Sequence, residues 1–273
     1  MGNSRPDAGH TTVLAVGAHP DDIEFMMAGT LLLLGEAGAE LHMWNLANGS
    51  CGTAEHAKDE IVRLRRKEAE DAAEVAGATV YPPIADDLML FYEPESLRKV
   101  AARVRQIQPD IMFVPSPQDY MEDHQNACRL AVGGAFARGM LNFETEPRQE
   151  PWSGETVIYH ALPYGLHDGL RRRIYAGLYV DVASVLETKR EMLACHRTQK
   201  KWLDESQGLN AYLNNMEEMC EEVGEMSGRF QHAEGWRRHS HLGFAPEDHD
   251  PLMEILGDRC WKDYRYQKKL QEL

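Results

Sequence analysis

The chain has 273 residues and a formal net charge of −15, and this length suits one α/β domain with an appended helical part. The negative charge disfavours nucleic acids and anionic membranes as partners, because both attract basic surfaces. A neutral or cationic small molecule is the predicted partner.

The cysteines and the N-terminal segment predict a cytoplasmic protein. The five cysteines are an odd number without CxxC or zinc-finger spacing, which argues against a disulfide framework and favours a reducing compartment. Residues 1–10 are polar and lack the apolar stretch of a signal peptide. No apolar run reaches the roughly 18 residues of a membrane span, so no membrane association is expected.

The first predicted elements are a buried strand and an amphipathic helix. Residues 12–16 form a short apolar run with β-branched ends, and apolar residues recur at helical spacing over residues 23–34. His19, Asp21 and Asp22 therefore fall on the turn between strand and helix. Open α/β sheets bind their ligands at such turns.

The residues of this turn suit a cation, although each has a simpler explanation. Pro20 restricts the backbone on both sides, and two adjacent carboxylates stay ionised beside a helix N-terminus and a divalent cation. Taken singly, Asp21 and Asp22 could cap the helix, and His19 could be an ordinary half-buried histidine. Together with a remote histidine, they favour a metal site.

Two further loops are predicted near this turn. A second strand over residues 40–46 precedes a polar Gly-rich loop in which Asn48 could contact a polar ligand, although such loops are more often plain connectors. After a short third strand around residues 79–81, Asp86 and Asp87 lie in another strand-end loop. Either aspartate could contact substrate or cap a turn.

Between these strands, residues 58–76 predict a charged amphipathic helix that ends at Gly77. Arg65 and Glu68 lie three residues apart on this helix. Such a pair is usually a solvated ion pair.

A helix over residues 96–106 and a fourth strand over residues 110–115 lead to His124, which opens the next helix. Four βα repeats predict a parallel sheet whose strand ends open on one edge, so His124 and His19 converge. Two imidazoles and one carboxylate are the ligands of catalytic zinc, with a fourth position for water. Similar donors hold non-haem iron, so Fe²⁺ stays an alternative.

The C-terminal part predicts strands over residues 157–159 and 178–182, a long helix over 184–202 and another helix from Leu209. The apolar stripe of this last helix predicts core or a subunit interface, which keeps a homo-oligomer open. Residues 230–244 are predicted to be a lid or an oligomer contact.

The whole chain, 1–273, is predicted to be one α/β domain with a core of about 11–185 and a helical extension of about 186–273.

The sequence resembles the PIG-L/LmbE-like deacetylase family over most of its length and most strongly in its first half. The residues that carry the resemblance are Ala18-His19-Pro20-Asp21-Asp22, Gly29-Thr30-Leu31, Asn48-Gly49-x-x-Gly52, Arg65-x-x-Glu68 and Asp123-His124. The resemblance implies a Rossmann-like α/β fold with a mostly parallel sheet. It also implies zinc-dependent removal of an N-acetyl group, commonly from a glucosamine-containing small molecule.

The resemblance also implies roles for single residues. It assigns zinc to His19, Asp22 and His124, and the general base to Asp21. Asn48, Arg65 and Asp87 are the candidate substrate contacts.

One motif departs from the family pattern. The family has His-x-Asp-His where this chain has Met121-Glu122-Asp123-His124, so a donor that would help to stabilise the oxyanion is missing and the role of Asp123 is open. Loss of one such donor costs about 10²–10³ in rate. His196 is the candidate substitute, although a helical histidine is more often structural.

The predicted function is a zinc-dependent amidohydrolase that removes an acyl group from an amino sugar or glycoconjugate. Zinc lowers the pKa of its bound water to about 7 and polarises the carbonyl, while Asp21 takes the proton and returns it to the departing amine. The alternatives are a hydrolase of another small amide or ester, a metal-retaining sugar-binding or scaffold protein with little turnover, and an iron oxygenase.

Overall fold

The computed structural model describes residues 11–207 and 211–272. Residues 1–10 and Leu209, the predicted start of the late helix, lie outside this range. Eight strands form one sheet in the order β3-β2-β1-β4-β5-β7-β6-β8. The strands are β1 (Thr12–Gly17), β2 (Glu40–Asn45), β3 (Thr79–Val80), β4 (Ile111–Val114), β5 (Val157–Ala161), β6 (Leu178–Asp181), β7 (Ala233–Arg238) and β8 (Cys260–Lys262).

Helices connect and cover these strands. They are α1 (Asp22–Met26), α2 (Ala28–Glu36), α3 (Lys58–Ala76), α4 (Pro94–Ile107), α5 (Glu122–Phe136), α6 (Leu186–Ala194), α7 (Arg197–Gln207), α8 (Ala211–Ser227), α9 (Pro251–Leu256) and α10 (Tyr264–Glu272). None of the helices within the described ranges is long and apolar enough to cross a membrane.

Alternate residues of β1 enter two separate cores, which explains the continuous apolar run of this strand. Val13 and Ala15 pack with α2, α6 and α8, whereas Leu14 and Val16 pack with α4 and α5 on the other face. A central parallel strand covered by helices on both faces has this pattern. The predicted Rossmann-like, mostly parallel sheet is confirmed.

The order of the strands brings two strand ends together. The chain places β2 and β3 on one side of β1, and β4 and β5 on the other, all in parallel pairs. The order therefore reverses between β1 and β4, which is the switch point where such sheets bind ligands. His19 follows β1 and His124 follows β4, so both reach this crevice.

Three predicted elements differ from the structure. The first helix is broken at Met27 into α1 and α2, and the predicted helix over residues 184–202 is two helices separated at Cys195 and His196. The segment 230–244, predicted as a lid or contact, contains β7, which lies inside the sheet between β5 and β6. The C-terminal part is therefore helical with two additional strands, β7 and β8.

The predicted solvated pair of Arg65 and Glu68 is wrong, because both side chains are buried. Glu68 accepts hydrogen bonds from the backbone N–H of Thr198 (2.9 Å) and from its hydroxyl (2.7 Å), and so caps α7 from α3. The apolar stripe of α8, predicted as either core or a subunit interface, is buried in the core. Its residues are Tyr212, Met216, Met219 and Val223.

A buried carboxylate on β7 explains why sequence patterns miss this strand. Glu234 has low strand propensity, yet it accepts bonds from the N–H groups of Gly29 (2.8 Å) and Thr30 (2.7 Å) at the start of α2. Fully buried Lys189 on α6 lies 2.6 Å from the same carboxylate. Glu234 thus caps α2 from a remote strand, and Lys189 balances its charge.

The buried pair yields a stability prediction. Replacing Lys189 by Met leaves the carboxylate of Glu234 buried without its cation, and we expect the free energy of unfolding to fall by about 3–5 kcal/mol. Urea denaturation followed by circular dichroism measures the change. The matched control is Lys268→Met, which removes an exposed partner of Glu272 and should change stability by less than about 1 kcal/mol. Equal effects of the two variants would contradict the role of Lys189.

Candidate active site

The turn after β1 is held in an unusual backbone conformation by one carboxylate. Asp21 has a φ of 117°, a left-handed value that is uncommon for residues with a side chain. Asp22 Oδ2 accepts hydrogen bonds from the N–H groups of Ala18 (2.9 Å) and His19 (2.8 Å). These bonds fold the turn back on itself and fix the directions of its side chains.

The structure brings together the three predicted metal ligands. His124 Nε2 lies 3.4 Å from Asp22 Oδ1, and His19 Nδ1 lies 3.8 Å from Asp22 Oδ2. One donor atom from each of the three residues lies within 4.8 Å of the others. Two imidazole nitrogens and a carboxylate oxygen at this spacing can hold one divalent cation.

Each ligand histidine is oriented by a second carboxylate. His19 Nε2 lies 2.9 Å from Asp123 Oδ2, and His124 Nδ1 lies 3.0 Å from Asp119 Oδ1. A hydrogen bond on one ring nitrogen fixes the tautomer and directs the other nitrogen to the metal. Both the spacing of the three donor atoms and the hydrogen bonds that orient the two histidines therefore suit a metal ion.

The electrostatics of the turn keep Asp22 ionised. Burial alone would raise the pKa of Asp22, but the nearby rings of His124 and His19 and the backbone N–H of His19 hold the pKa well below its usual value. A carboxylate must be deprotonated to bind a metal. Asp22 is therefore in the protonation state that metal binding requires.

Asp21 lies beside the three ligands but outside their set. Its Oδ2 accepts a hydrogen bond of 2.8 Å from the hydroxyl of Tyr212 on α8 and lies 3.6 Å from Arg65 Nη2. Burial raises the pKa of the Asp21 carboxyl, and the guanidinium of Arg65 opposes this rise. Raised pKa values in a cleft are typical of catalytic acids and bases.

Arg65 supports the turn from α3. Its Nη2 donates to the carbonyl of Pro20, and its Nη1 donates to Gln199 Oε1 on α7 at 2.8 Å. A Cβ on Gly49, which has a φ of +77°, would come within 2.6 Å of Arg65 Cδ. The Gly-rich loop therefore packs directly on the guanidinium, and Arg65 supports the turn that carries Asp21 and Asp22 in addition to lining the cavity.

The other two predicted substrate contacts hold their own loops. Asn48 Nδ2 donates to Asp86 Oδ1 at 2.6 Å. Asp87 accepts from the N–H groups of Gly49 (2.7 Å) and Cys51 (2.8 Å). Asp87 lies on the cavity wall, whereas Asn48 is not among the described residues that line it.

His196 is placed differently from its predicted role. It lies in the break between α6 and α7, is fully buried, and has its Nε2 3.1 Å from Glu24 Oε1. It is not among the described residues that line the cavity. His196 is therefore neither helical nor directed at a substrate there, and the structure does not support it as the missing oxyanion donor.

A cavity of about 420 Å³ opens over the three ligands, a size suited to small molecules. Met121, which stands where the family pattern has histidine, lies on its wall. The lining residues are His19, Asp21, Asp22, Phe25, Met26, Met27, Cys51, Gly52, Arg65, Asp87, Leu88, Pro115, Ser116, Asp119, Tyr120, Met121, His124, Ala161, Leu162, Tyr164, Gln199, Trp202, Leu203 and Tyr212.

Sequence reasoning missed three residues of this site. Asp119 and Tyr212 belong to no motif that the sequence displays, and Asp123 had no assigned role. A weak signal existed for Asp119 and Asp123, because both carboxylates lie in or next to the loop that follows a buried strand. No pattern signals Tyr212, since it reaches the site from a remote helix.

Fold and site together define an α/β protein with a two-histidine, one-carboxylate site at the switch point of its sheet. Residues 14–135 match the family model of PIG-L, described as GlcNAc-PI de-N-acetylase. The resemblance to this family that the sequence predicts is confirmed over this part of the chain.

Individual proteins similar to this chain have different activities. Diacetylchitobiose deacetylase of Thermococcus kodakarensis is 26% identical over 196 residues, 68% of this chain and 69% of that protein. 4-Oxalmesaconate hydratase of Pseudomonas putida is 26% identical over 197 residues, 69% of this chain and 74% of that protein. The structure of N,N'-diacetylchitobiose deacetylase from Pyrococcus horikoshii, in complex with its inhibitor MPG, aligns with a TM-score of 0.71 at 23% identity, covering 87% of this chain and 88% of that one.

The carboxylates behind the ligands yield a prediction about metal affinity. In Asp119→Asn and Asp123→Asn, each ligand histidine loses its anionic partner, and we expect zinc affinity to fall by about 10–100-fold. Competition against a chromophoric chelator measures the dissociation constant. The matched control, Asp248→Asn, changes an exposed carboxylate outside the cavity lining and should bind zinc like the wild type. Wild-type affinity in both test variants would show that neither carboxylate supports a metal.

Proposed function

We propose that the protein is a zinc-dependent hydrolase that removes an N-acyl group from an amino sugar or glycoconjugate. The observation that carries this proposal is the pairing of a three-donor metal site with a separate, buried carboxylate, Asp21, on the same turn. The PIG-L match and the deacetylase relative support an amide of this class as the substrate.

His19, Asp22 and His124 would hold the cation. A bound zinc lowers the pKa of a coordinated water and polarises the amide carbonyl. Two histidines and one carboxylate are typical of catalytic zinc and also hold non-haem iron, so zinc is the proposed metal and Fe²⁺ is the alternative.

Asp21 is the proposed general base. Tyr212 occupies its Oδ2, so Oδ1 is the atom that accepts the proton of the attacking water. Because burial raises the pKa of this carboxyl, Asp21 can hold the proton and then deliver it to the departing amine nitrogen. Tyr212 and Arg65 keep the carboxylate in place during both transfers.

The charge of the cavity favours an amide over the substrate of a hydratase. The name of the Pseudomonas relative denotes an anionic carboxylate substrate. Among the described lining residues, Arg65 is the only lysine or arginine, and it already donates to Pro20 and Gln199. The carboxylates of Asp21, Asp87 and Asp119, which are not among the three candidate metal ligands, also line the cavity and would repel an anion.

A metal-binding protein with little turnover remains the second candidate, and Met121 is the observation that favours it. A thioether has no proton to donate, so this position cannot stabilise an oxyanion. Such a protein would still bind an amino sugar through the same site.

The charge of the chain and its cysteines support a proposal for its partner and its compartment. A neutral or cationic small molecule is the proposed partner, and neither nucleic acid nor membrane is expected to bind. All five cysteines lie in the described ranges and are free thiols, which supports the proposed reducing cytoplasm. A homo-oligomer stays a prediction.

A substitution of the proposed base distinguishes the hydrolase from a metal-binding protein with little turnover. In Asp21→Asn we expect kcat for deacetylation of N,N'-diacetylchitobiose to fall by about 10²–10⁴-fold, because general-base catalysis is lost. Bound zinc, measured by mass spectrometry after dialysis, should stay at the wild-type level.

Asp22→Asn is the matched control, since it changes the adjacent aspartate and should lose zinc as well as activity. If the zinc-loaded wild type releases no amine from any of a broad panel of N-acyl substrates, the protein is a binder. If Asp21→Asn turns over like the wild type, Asp21 is not the base.

A further inference from the structure

The wall of the cavity has two chemically different parts. One part is apolar, and we call it the acyl wall; it consists of Phe25, Met26, Met27, Leu162, Tyr164 and Leu203. Phe25, Met27 and Leu162 are buried, whereas Tyr120, Leu88 and Trp202 are exposed. The acyl wall therefore includes the deep part of the cavity, and exposed aromatic side chains border the mouth.

Several polar groups on the cavity wall are already engaged within the protein. Asp87 accepts two backbone N–H groups, Gln199 accepts from Arg65, and Ser116 donates to the carbonyl of Gln118. Asp119 is bonded to His124 and to the N–H of Met121. A sugar ring in the interior would lose its hydration and share acceptors that already bind groups of the protein, which is less favourable than burial of an apolar chain there.

The acyl wall begins at the proposed base. The ring of Phe25 packs edge-on against Tyr212, with centroids 5.2 Å apart, and against Tyr164 at 5.4 Å. Tyr212 is the residue that donates to Asp21. An acyl carbonyl placed over the metal ligands therefore has apolar surface directly beside it.

The volume of the cavity exceeds the needs of an acetyl group. An apolar cavity of roughly 150 Å³ admits benzene, which has twice as many non-hydrogen atoms as acetyl. This cavity measures about 420 Å³, a volume that includes the space beside Tyr120 and Trp202 at the mouth. Met26 and Met27 add flexible side chains that adapt to chains of different length.

We propose that the deep cavity binds the acyl chain of the substrate and that this chain is longer than acetyl. The amine part, a glucosamine, lies at the mouth against the aromatic faces of Trp202 and Tyr120. The inference rests on the proposed hydrolase function. In the reaction, the oxygen of water bonds to the acyl carbon, the C–N bond breaks, the amine gains a proton, and a fatty carboxylate and a free amine leave.

A chain-length series tests the inference. The zinc-loaded protein is given N-acetyl-, N-butyryl-, N-hexanoyl- and N-octanoyl-glucosamine, and the released amine is measured with an amine-reactive dye. Because each buried methylene contributes a constant increment of hydrophobic free energy, we expect kcat/KM to rise about fourfold per methylene until the wall is filled. A maximum at acetyl with a decline for longer chains would overturn the inference and leave the hydrolase function intact. Hydrolysis of none of the four compounds would instead contradict the proposed function.

Two variants connect the preference to the acyl wall. Met26→Trp places a large side chain in the acyl wall and should lower the octanoyl-to-acetyl ratio of kcat/KM by at least tenfold. Leu203→Trp, at a partly buried position of α7, should have the same effect and is the alternative variant if Met26→Trp does not fold. This ratio does not depend on the fraction of active protein. Met140→Trp is the matched control, because Met140 is exposed and does not line the cavity. An unchanged ratio in a folded wall variant would contradict the assignment.

Discussion

The parallel pairing of β1 with β4 is the constraint on which the site depends. Strand order reverses between these two strands, so the loops after them diverge to opposite faces and leave a crevice. His19 and His124 are far apart in the chain, yet each needs only to follow its own strand to reach this crevice. The geometry of the candidate site therefore depends on the backbone hydrogen bonds between these two strands.

Support for this geometry comes from the C-terminal part of the chain. Tyr212 on α8 donates to Asp21, and Glu234 on β7 holds the start of α2, just after the turn that carries His19 and Asp22. Both supporting residues are buried. The PIG-L match ends at residue 135, so elements beyond residue 135 complete a site whose three candidate metal ligands all lie within the matched part.

The sequence predicts what is periodic or local and misses what is remote. The β1 run and the helix over residues 58–76 follow from local patterns, and the proximity of His19, Asp22 and His124 follows from the parallel topology. By contrast, β7 carries a buried glutamate whose partners lie about two hundred residues away, so alternation rules fail there. Arg65 looks like a surface residue because its partners, Pro20 and Gln199, come from other elements. His196 looked available for chemistry, since its buried neighbour Glu24 cannot be inferred from spacing.

Helix α7 takes part in two tasks at once. Its Trp202 and Leu203 line the cavity, while its Gln199 accepts from Arg65, which also holds the carbonyl of Pro20 in the catalytic turn. One helix thus supplies part of the cavity wall and, through Gln199 and Arg65, part of the support of the turn that carries Asp21. The width of the cavity and the position of Asp21 are therefore structurally linked through α7.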